Sequence, residues 1–158
     1  MKYRARGFTL LELVVTVAIV GILASVAVPL GELGVQRARE HELRTGLRQI
    51  RTAIDAYKRA HDEGRVPARV GASGYPRSLS DLVGGVEDAK SPVTSKIYFL
   101  RRLPRDPFHP DRDVPAEETW GQRAYSSPPD APAEGDDVFD VYSRSERTGL
   151  NGQPYKDW

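Results

Sequence analysis

One stretch limits what this chain can fold into more than any other. "FTLLELVVTVAIVGILASVAVPL" is apolar from Phe8 to Leu30 except for a single charge, Glu12. As a helix rising about 1.5 Å per residue it is roughly 35 Å long, enough for a hydrocarbon core of about 30 Å. A carboxylate in such a medium is costly unless a partner answers it, so Glu12 marks a functional position. The residues before it carry Lys2, Arg4 and Arg6, charges that stay on the cytoplasmic face and send the C-terminal side outward. Three readings fit: a secretory signal cut near "ASVA" around Ser25, an uncleaved anchor, and a chain cut before the apolar run. The third gives Glu12 its partner. A cut before Phe8 frees an ammonium group one helical turn from the carboxylate, on the same face. Within one subunit the two groups neutralise each other. Between neighbours they also fix an axial register, because one stagger alone brings them together. Gly21, Ala24, Ser25 and Ala27 are small enough for close helix packing. Pro29 removes one backbone donor and either interrupts the helix or marks a membrane exit.

Past Gly34 the pattern becomes one-sided. Leu43, Leu47, Ile50, Ile54 and Tyr57 recur at alternating spacings of four and three, one face of a helix. Arg37, Arg44, Arg48, Arg51 and Arg59 lie on its other faces, with Glu40–Arg44 and Asp55–Arg59 as supportive pairs four residues apart. Gly64 is the terminator. The expectation is one helix over roughly residues 9–62, whose later stripe needs a partner surface in the remaining chain. There, "SLSDLVGG" predicts a short helix capped by Ser78 and Asp81 and stopped at Gly84–Gly85. "VEDAKSPVTSK" reads as polar turn. A short apolar element in "IYFLRRLP" ends at Pro104, and "RAYSS" and "DVFDVYS" read as strands joined through Pro128–Pro129 and Gly135. The expected fold class is α+β: a long N-terminal helix packed on a small antiparallel β-sheet of two strands and a third short one.

Several chemistries find no support. There are no cysteines, which excludes disulfides, thiolate metal sites and thiol catalysis. His41 and His61 do not have metal-pair spacing, and "HPDRD" (His109, Asp111, Asp113) reads as a surface loop. "GASG" lacks the length and lysine of a phosphate loop, and there is no nucleophile elbow. Charge is unevenly spread: residues 31–110 carry fifteen basic and ten acidic groups, residues 111–158 five and eleven. A chain polarised in this way suits head-to-tail stacking.

"RGFTLLELVVTVAIVGILASVAVP" resembles the start of a type IV pilin or type II secretion pseudopilin precursor. Further along, "YPRSLSDLVGG", "YFLRRLPRDPF", "WGQRAYSSPPD", "DVFDVYSRSERTGLNG" and "PYKDW" resemble, in that order, segments of the major, G-type pseudopilin. The resemblance implies a pilin-like fold and a prepilin peptidase that cuts between Gly7 and Phe8 and N-methylates Phe8. It makes Glu12 the assembly glutamate and Pro29 the helix-interrupting proline. Four parts follow: a cleaved leader at 1–7, a transmembrane and assembly helix at 8–30, the amphipathic half of that helix at 31–62, and a periplasmic head at 63–158. The implied role is structural, not enzymatic. The subunit polymerises with its own copies and other pseudopilins into a periplasmic pseudopilus, served by an inner-membrane platform and its ATPase. It is held in the bacterial inner membrane, among lipid, by one span. The alternative is a surface pilin that binds DNA or surfaces through the arginine face of Arg37, Arg44 and Arg51. That face lacks interleaved aromatics, which weighs against nucleic acid.

Typical G-type subunits also bind calcium through a loop near the C-terminus. Here "SRSERTGLNG" holds one carboxylate, Glu146, beside Arg144 and Arg147. The weak calcium candidates are therefore upstream: Asp136, Asp137 and Asp140. The competing reading is a turn at Gly149–Gly152 aided by Asn151, with Tyr155 and Trp158 of "PYKDW" packed back on the head.

The proposed cut site is testable. Gly7→Val is expected to block leader removal, so that intact-mass spectrometry of the membrane fraction finds the precursor. A mature chain beginning at Phe8 in that variant would refute the assignment.

Overall fold

The computed structural model describes residues 7–67 and 71–158, with the side chains of residues 26–30 outside the described set. Most of the expected leader therefore lies outside it, as does the side chain of Pro29. The chain divides into two compact units, Met1–Ala38 and Arg39–Trp158. One helix, α1 (Leu10–Asp62), is assigned without interruption through position 29.

In the first unit, α1 turns aliphatic side chains outward all round, from Leu10, 81% exposed, to Leu23, 64% exposed. Water does not stabilise a helix of this kind; lipid or other helices must cover it. Among the described residues no helix is long and apolar enough to cross a membrane, and the described side chains of the apolar run stop at Ser25.

In the second unit, the predicted stripe is buried as a row: Leu43, Leu47, Ile50, Ile54 and Tyr57 line the core with Leu79, Leu82, Trp120, Val138, Val141 and Tyr155. Gly46 lies within this row for a steric reason. A Cβ there would meet the Trp120 ring at 3.3 Å, so glycine lets the indole lie against the helix. The Trp120 indole N–H donates to Pro104 O at 2.9 Å, which satisfies its one polar atom. Gly64, with φ at +69°, ends α1, and the N–H of Arg65 returns to Ala60 O at 2.8 Å.

Helix α2 (Leu79–Gly84) forms where expected, with the Asp81 carboxylate accepting the N–H groups of Arg77 and Ser78. The sheet differs from expectation. Two separate antiparallel pairs replace one three-stranded sheet: β1 (Val86–Glu87) with β2 (Lys96–Ile97), and β3 (Trp120–Arg123) with β4 (Asp140–Ser143). The element at Ile97 pairs within its own polar loop. The third strand begins at Trp120 instead of Arg123. Gly121, which weakens the strand signal of "WGQR", is required there, because a Cβ would lie 2.3 Å from the ring of Tyr142 across the pair.

Asp106 ties its own loop to the turn before β3 and to the end of β4 from a buried position. Its Oδ2 accepts the Ser143 hydroxyl at 2.5 Å, its Oδ1 the Phe108 N–H at 2.8 Å, and its own N–H donates to Thr119 Oγ1 at 3.1 Å. Burial is the larger influence and pushes its carboxyl up from the usual value, while the Ser143 and Phe108 hydrogen bonds pull it down less strongly. A raised carboxyl binds its proton more tightly in the folded than in the unfolded chain. Its contribution to stability is therefore complete at low pH and is lost as pH rises through the folded value. In detergent-solubilised full chain, Asp106→Asn is expected to remove this loss. Its stability relative to the parent should rise as pH increases above about 4, the unfolded value of a carboxyl. Urea unfolding at several pH values measures it, and a constant difference would refute the assignment.

Candidate functional site

The first candidate region is the start of α1. Gly7 and Phe8 precede the helix and are exposed, and a Cβ on Gly7 would meet nothing within 4 Å. Gly7 also lies outside the positive-φ glycines, so among the described residues no packing or backbone constraint demands glycine there. Thr9 and Glu12 form a reciprocal pair that sequence reading missed. The Glu12 N–H donates to Thr9 Oγ1 at 3.2 Å, and Glu12 Oε2 lies 3.5 Å from the Thr9 N–H that donates to it. This is a capping box, whose signature T-x-x-E stands in the sequence as Thr9–Leu10–Leu11–Glu12. The box folds the carboxylate back toward the helix start, where the helix dipole is positive. A chain beginning at Phe8 would carry its amine one residue before Thr9. The same rotamer that caps the helix therefore aims the acid at that end of the chain.

The second region, within the other unit, is the seat of the C-terminal segment. Here Glu40, Arg44 and Arg51 of α1 all contact the tail, Glu40 from a buried position and the two arginines from the rim. Glu40 is 5% exposed, and its Oε1 accepts the Leu150 N–H at 2.8 Å and the Tyr155 hydroxyl at 3.0 Å. The guanidinium of Arg51 donates from Nε to Asp140 Oδ1 at 2.8 Å, and from Nη2 to Val141 O at 3.0 Å and Trp158 O at 2.8 Å. Arg44 lies 4.1 Å over the centre of the Trp158 ring. Tyr155 stacks on Phe108 at 4.1 Å and meets Trp158 edge-on at 4.9 Å. The packing of Tyr155 and Trp158 on the head is thus as expected. Glu40, expected as a helix-pair acid, is also a buried acceptor for the tail. One expectation is corrected: the arginine face is not free, because Arg44 and Arg51 are engaged with the tail and β4; Arg37 lies in the first unit and is exposed.

Gly149–Gly152 forms the turn that the residues suggested. The Gly152 N–H reaches Gly149 O at 2.9 Å, and Asn151 Oδ1 accepts the Gln153 N–H at 3.1 Å. The upstream acids are dispersed in their roles. Asp137 accepts the Ser73 hydroxyl and the Tyr125 N–H, and Asp140 faces Arg51 and Arg123. Among the described residues no group of three or more His, Cys, Asp or Glu converges as a metal set. His109 hydrogen-bonds Asp111 O within its own loop.

Residues 2–28 match the family described as the prokaryotic N-terminal methylation motif. Among curated proteins, the chain is 30% identical to the type II secretion system core protein G of Klebsiella pneumoniae, over 85% of this chain and 93% of the relative. It is 28% identical to the protein of that name from Dickeya chrysanthemi, over 96% and 97%. It is also 39% identical to the type IV major fimbrial protein FimA of Dichelobacter nodosus, over 51% and 55%. No solved structure matches the chain.

The capping box has its own test. Thr9→Val removes one half of it and is expected to cost about 1 kcal/mol at the helix start. Amide exchange in detergent micelles should then quicken about fivefold at Glu12 and leave residues past Thr16 unchanged. Unchanged exchange at Glu12 would show that the pair does not hold the helix end.

Proposed function

The chain belongs to the type II secretion core protein G family of pseudopilins, and from that premise we propose how its first unit works in assembly. It is a structural subunit that polymerises into a periplasmic pseudopilus supporting protein export. The observation that carries this reading is the start of α1: an apolar helix exposed on all sides, bearing one acid folded back to its N-terminal end. Prepilin peptidase cuts between Gly7 and Phe8, where the chain is open and glycine has no internal role. Phe8 becomes the N-methylated first residue. The basic leader and the apolar run support a single inner-membrane span with residues 63–158 in the periplasm. The subunit's partners are its own copies, other pseudopilins, the peptidase, and an inner-membrane platform driven by a separate ATPase.

Before assembly Glu12 serves its own helix. In the filament it answers the amine of a neighbouring Phe8, and the exposed aliphatic surface is covered by other helices. Moving the subunit out of lipid exchanges one apolar environment for another, so the helices gain little hydrophobic energy by associating. Close packing and a charge pair in a low dielectric then carry the specificity. A surface-pilus reading draws on the fimbrial similarity alone. Its DNA-binding form is weakened because Arg44 and Arg51 are occupied.

Two variants separate the two roles of Glu12. Glu12→Gln keeps a capping side chain and removes the charge, whereas Glu12→Ala removes both. Both are expected to insert and lose the leader normally. Both should lower filament yield at least about tenfold, since breaking a buried pair costs several kcal/mol. Filaments at normal yield from Glu12→Gln would show that charge does not set the register.

A further inference from the structure

We infer that the guanidinium of Arg51 is the built-in cation of this head, closing the C-terminal segment where G-type relatives are expected to use calcium. The inference concerns the second unit alone and stands apart from the filament reading.

Three oxygens from two stretches of chain meet on Arg51: a carboxylate oxygen of Asp140 and the carbonyl of Val141, both in β4, and the main-chain oxygen of Trp158, all at 2.8–3.0 Å. Carboxylates and carbonyls are the ligands a calcium ion takes. Here a planar fork of N–H donors takes them, with a geometry that suits two directions at once. The other oxygen of Asp140 faces a second guanidinium, Arg123 Nη2, at 3.5 Å. A divalent ion at Asp140 would sit against two fixed positive groups and would have to displace the nearer one.

The loop on the far side has the wrong polarity for a metal. It presents the Leu150 N–H and the Tyr155 hydroxyl to the Glu40 carboxylate, so it binds an anion, not a cation. Its turn closes through backbone groups and the Asn151 side chain. Of the upstream acids, Asp137 accepts two hydrogen bonds from elsewhere, and the described residues contain no converging set of three. The donor set does not fit a calcium ion. It fits a tail held at one end by Arg51 and at the other by Glu40, both supplied by α1.

The experiment uses the full chain in detergent micelles, with calcium chloride and a calcium chelator as probes. The parent protein is expected to melt at the same temperature in chelator and in calcium at about 10 mM, above the roughly 1 mM range of weak extracellular sites. Calorimetric titration should show no one-to-one calcium binding. A melting temperature that rises with calcium, or a saturable site, would overturn the inference. Arg51→Met is expected to lower melting by about 5 °C or more. It should also speed amide exchange at Leu150 and Tyr155 at least about tenfold, in chelator and in calcium alike. Unchanged melting and exchange in that variant would also overturn it. Should Arg51→Met fail to fold, the parent's response to calcium still decides, and Arg51→Lys supplies the charge without the fork. Full stability of the lysine variant in chelator alone would show that charge suffices; a drop reversed by calcium would refute the built-in cation.

Discussion

A helix that shows leucine, valine and isoleucine on every side needs a surrounding other than water, and that need governs the first unit. Among the described residues of Met1–Ala38 nothing buries Leu10, Leu11, Val14 or Ile22, which remain more than half exposed. Lipid and a bundle of like helices both meet the need, and the same sequence must be acceptable to both. That requirement explains the sparing use of polarity. Thr16 and Ser25 return their hydroxyls to the carbonyls of Leu13 and Ile22, so neither presents an unpaired polar group. Within the apolar run 8–30 Glu12 is the single charged residue, and the capping box keeps it at the start of the helix.

The second unit solves a different problem with the same type of element. Its stretch of α1 buries one face as core and uses the neighbouring face to hold the tail. Glu40, Arg44 and Arg51 are spaced by four and seven residues, so they follow one line along the helix. A buried acid at one end takes donors from the tail, a guanidinium at the other takes acceptors, and Arg44 between them covers the indole. The polar atoms that a folded-back C-terminal segment brings to the core are thereby satisfied in place. Asp106 does similar service across the loops between β2 and β4, at the expense of a perturbed ionisation.

The parts of this design legible in sequence were those that repeat or are dense. The apolar run and the Leu43–Tyr57 stripe declare themselves by period and order. The capping box at Thr9 was equally legible, and the interest of Glu12 as a charge obscured its local use. Other features depend on contacts that no local pattern carries. Glu40 and Arg44 at four residues look like a surface pair, and only the arrival of Leu150 and Tyr155, more than a hundred residues later, makes Glu40 a core acceptor. Strand β3 was misplaced because Gly121 reads as a strand breaker, although its missing side chain is what admits the Tyr142 ring. The short β1–β2 pair lies in a polar segment with no alternation to reveal it.

The separation of the tail contacts also bears on how the head closes. Arg51 meets Trp158 across 107 residues, and Glu40 meets Tyr155 across 115. The entropy of closing loops of this length must be met before such contacts return any stability. The nearer pairing of β3 with β4 and the burial of Trp120 against Gly46 can shoulder that entropy first, because they fix β4 and hence Asp140 and Val141. Arg51 then has two of its three acceptors in position, and the tail adds the third. A guanidinium on the helix is present whenever the chain is, and under the inference that Arg51 closes the head this last step needs no ion supply. A head closed by calcium would finish folding only where calcium is plentiful. A head closed by Arg51, as inferred, completes itself once the C-terminal segment has reached α1.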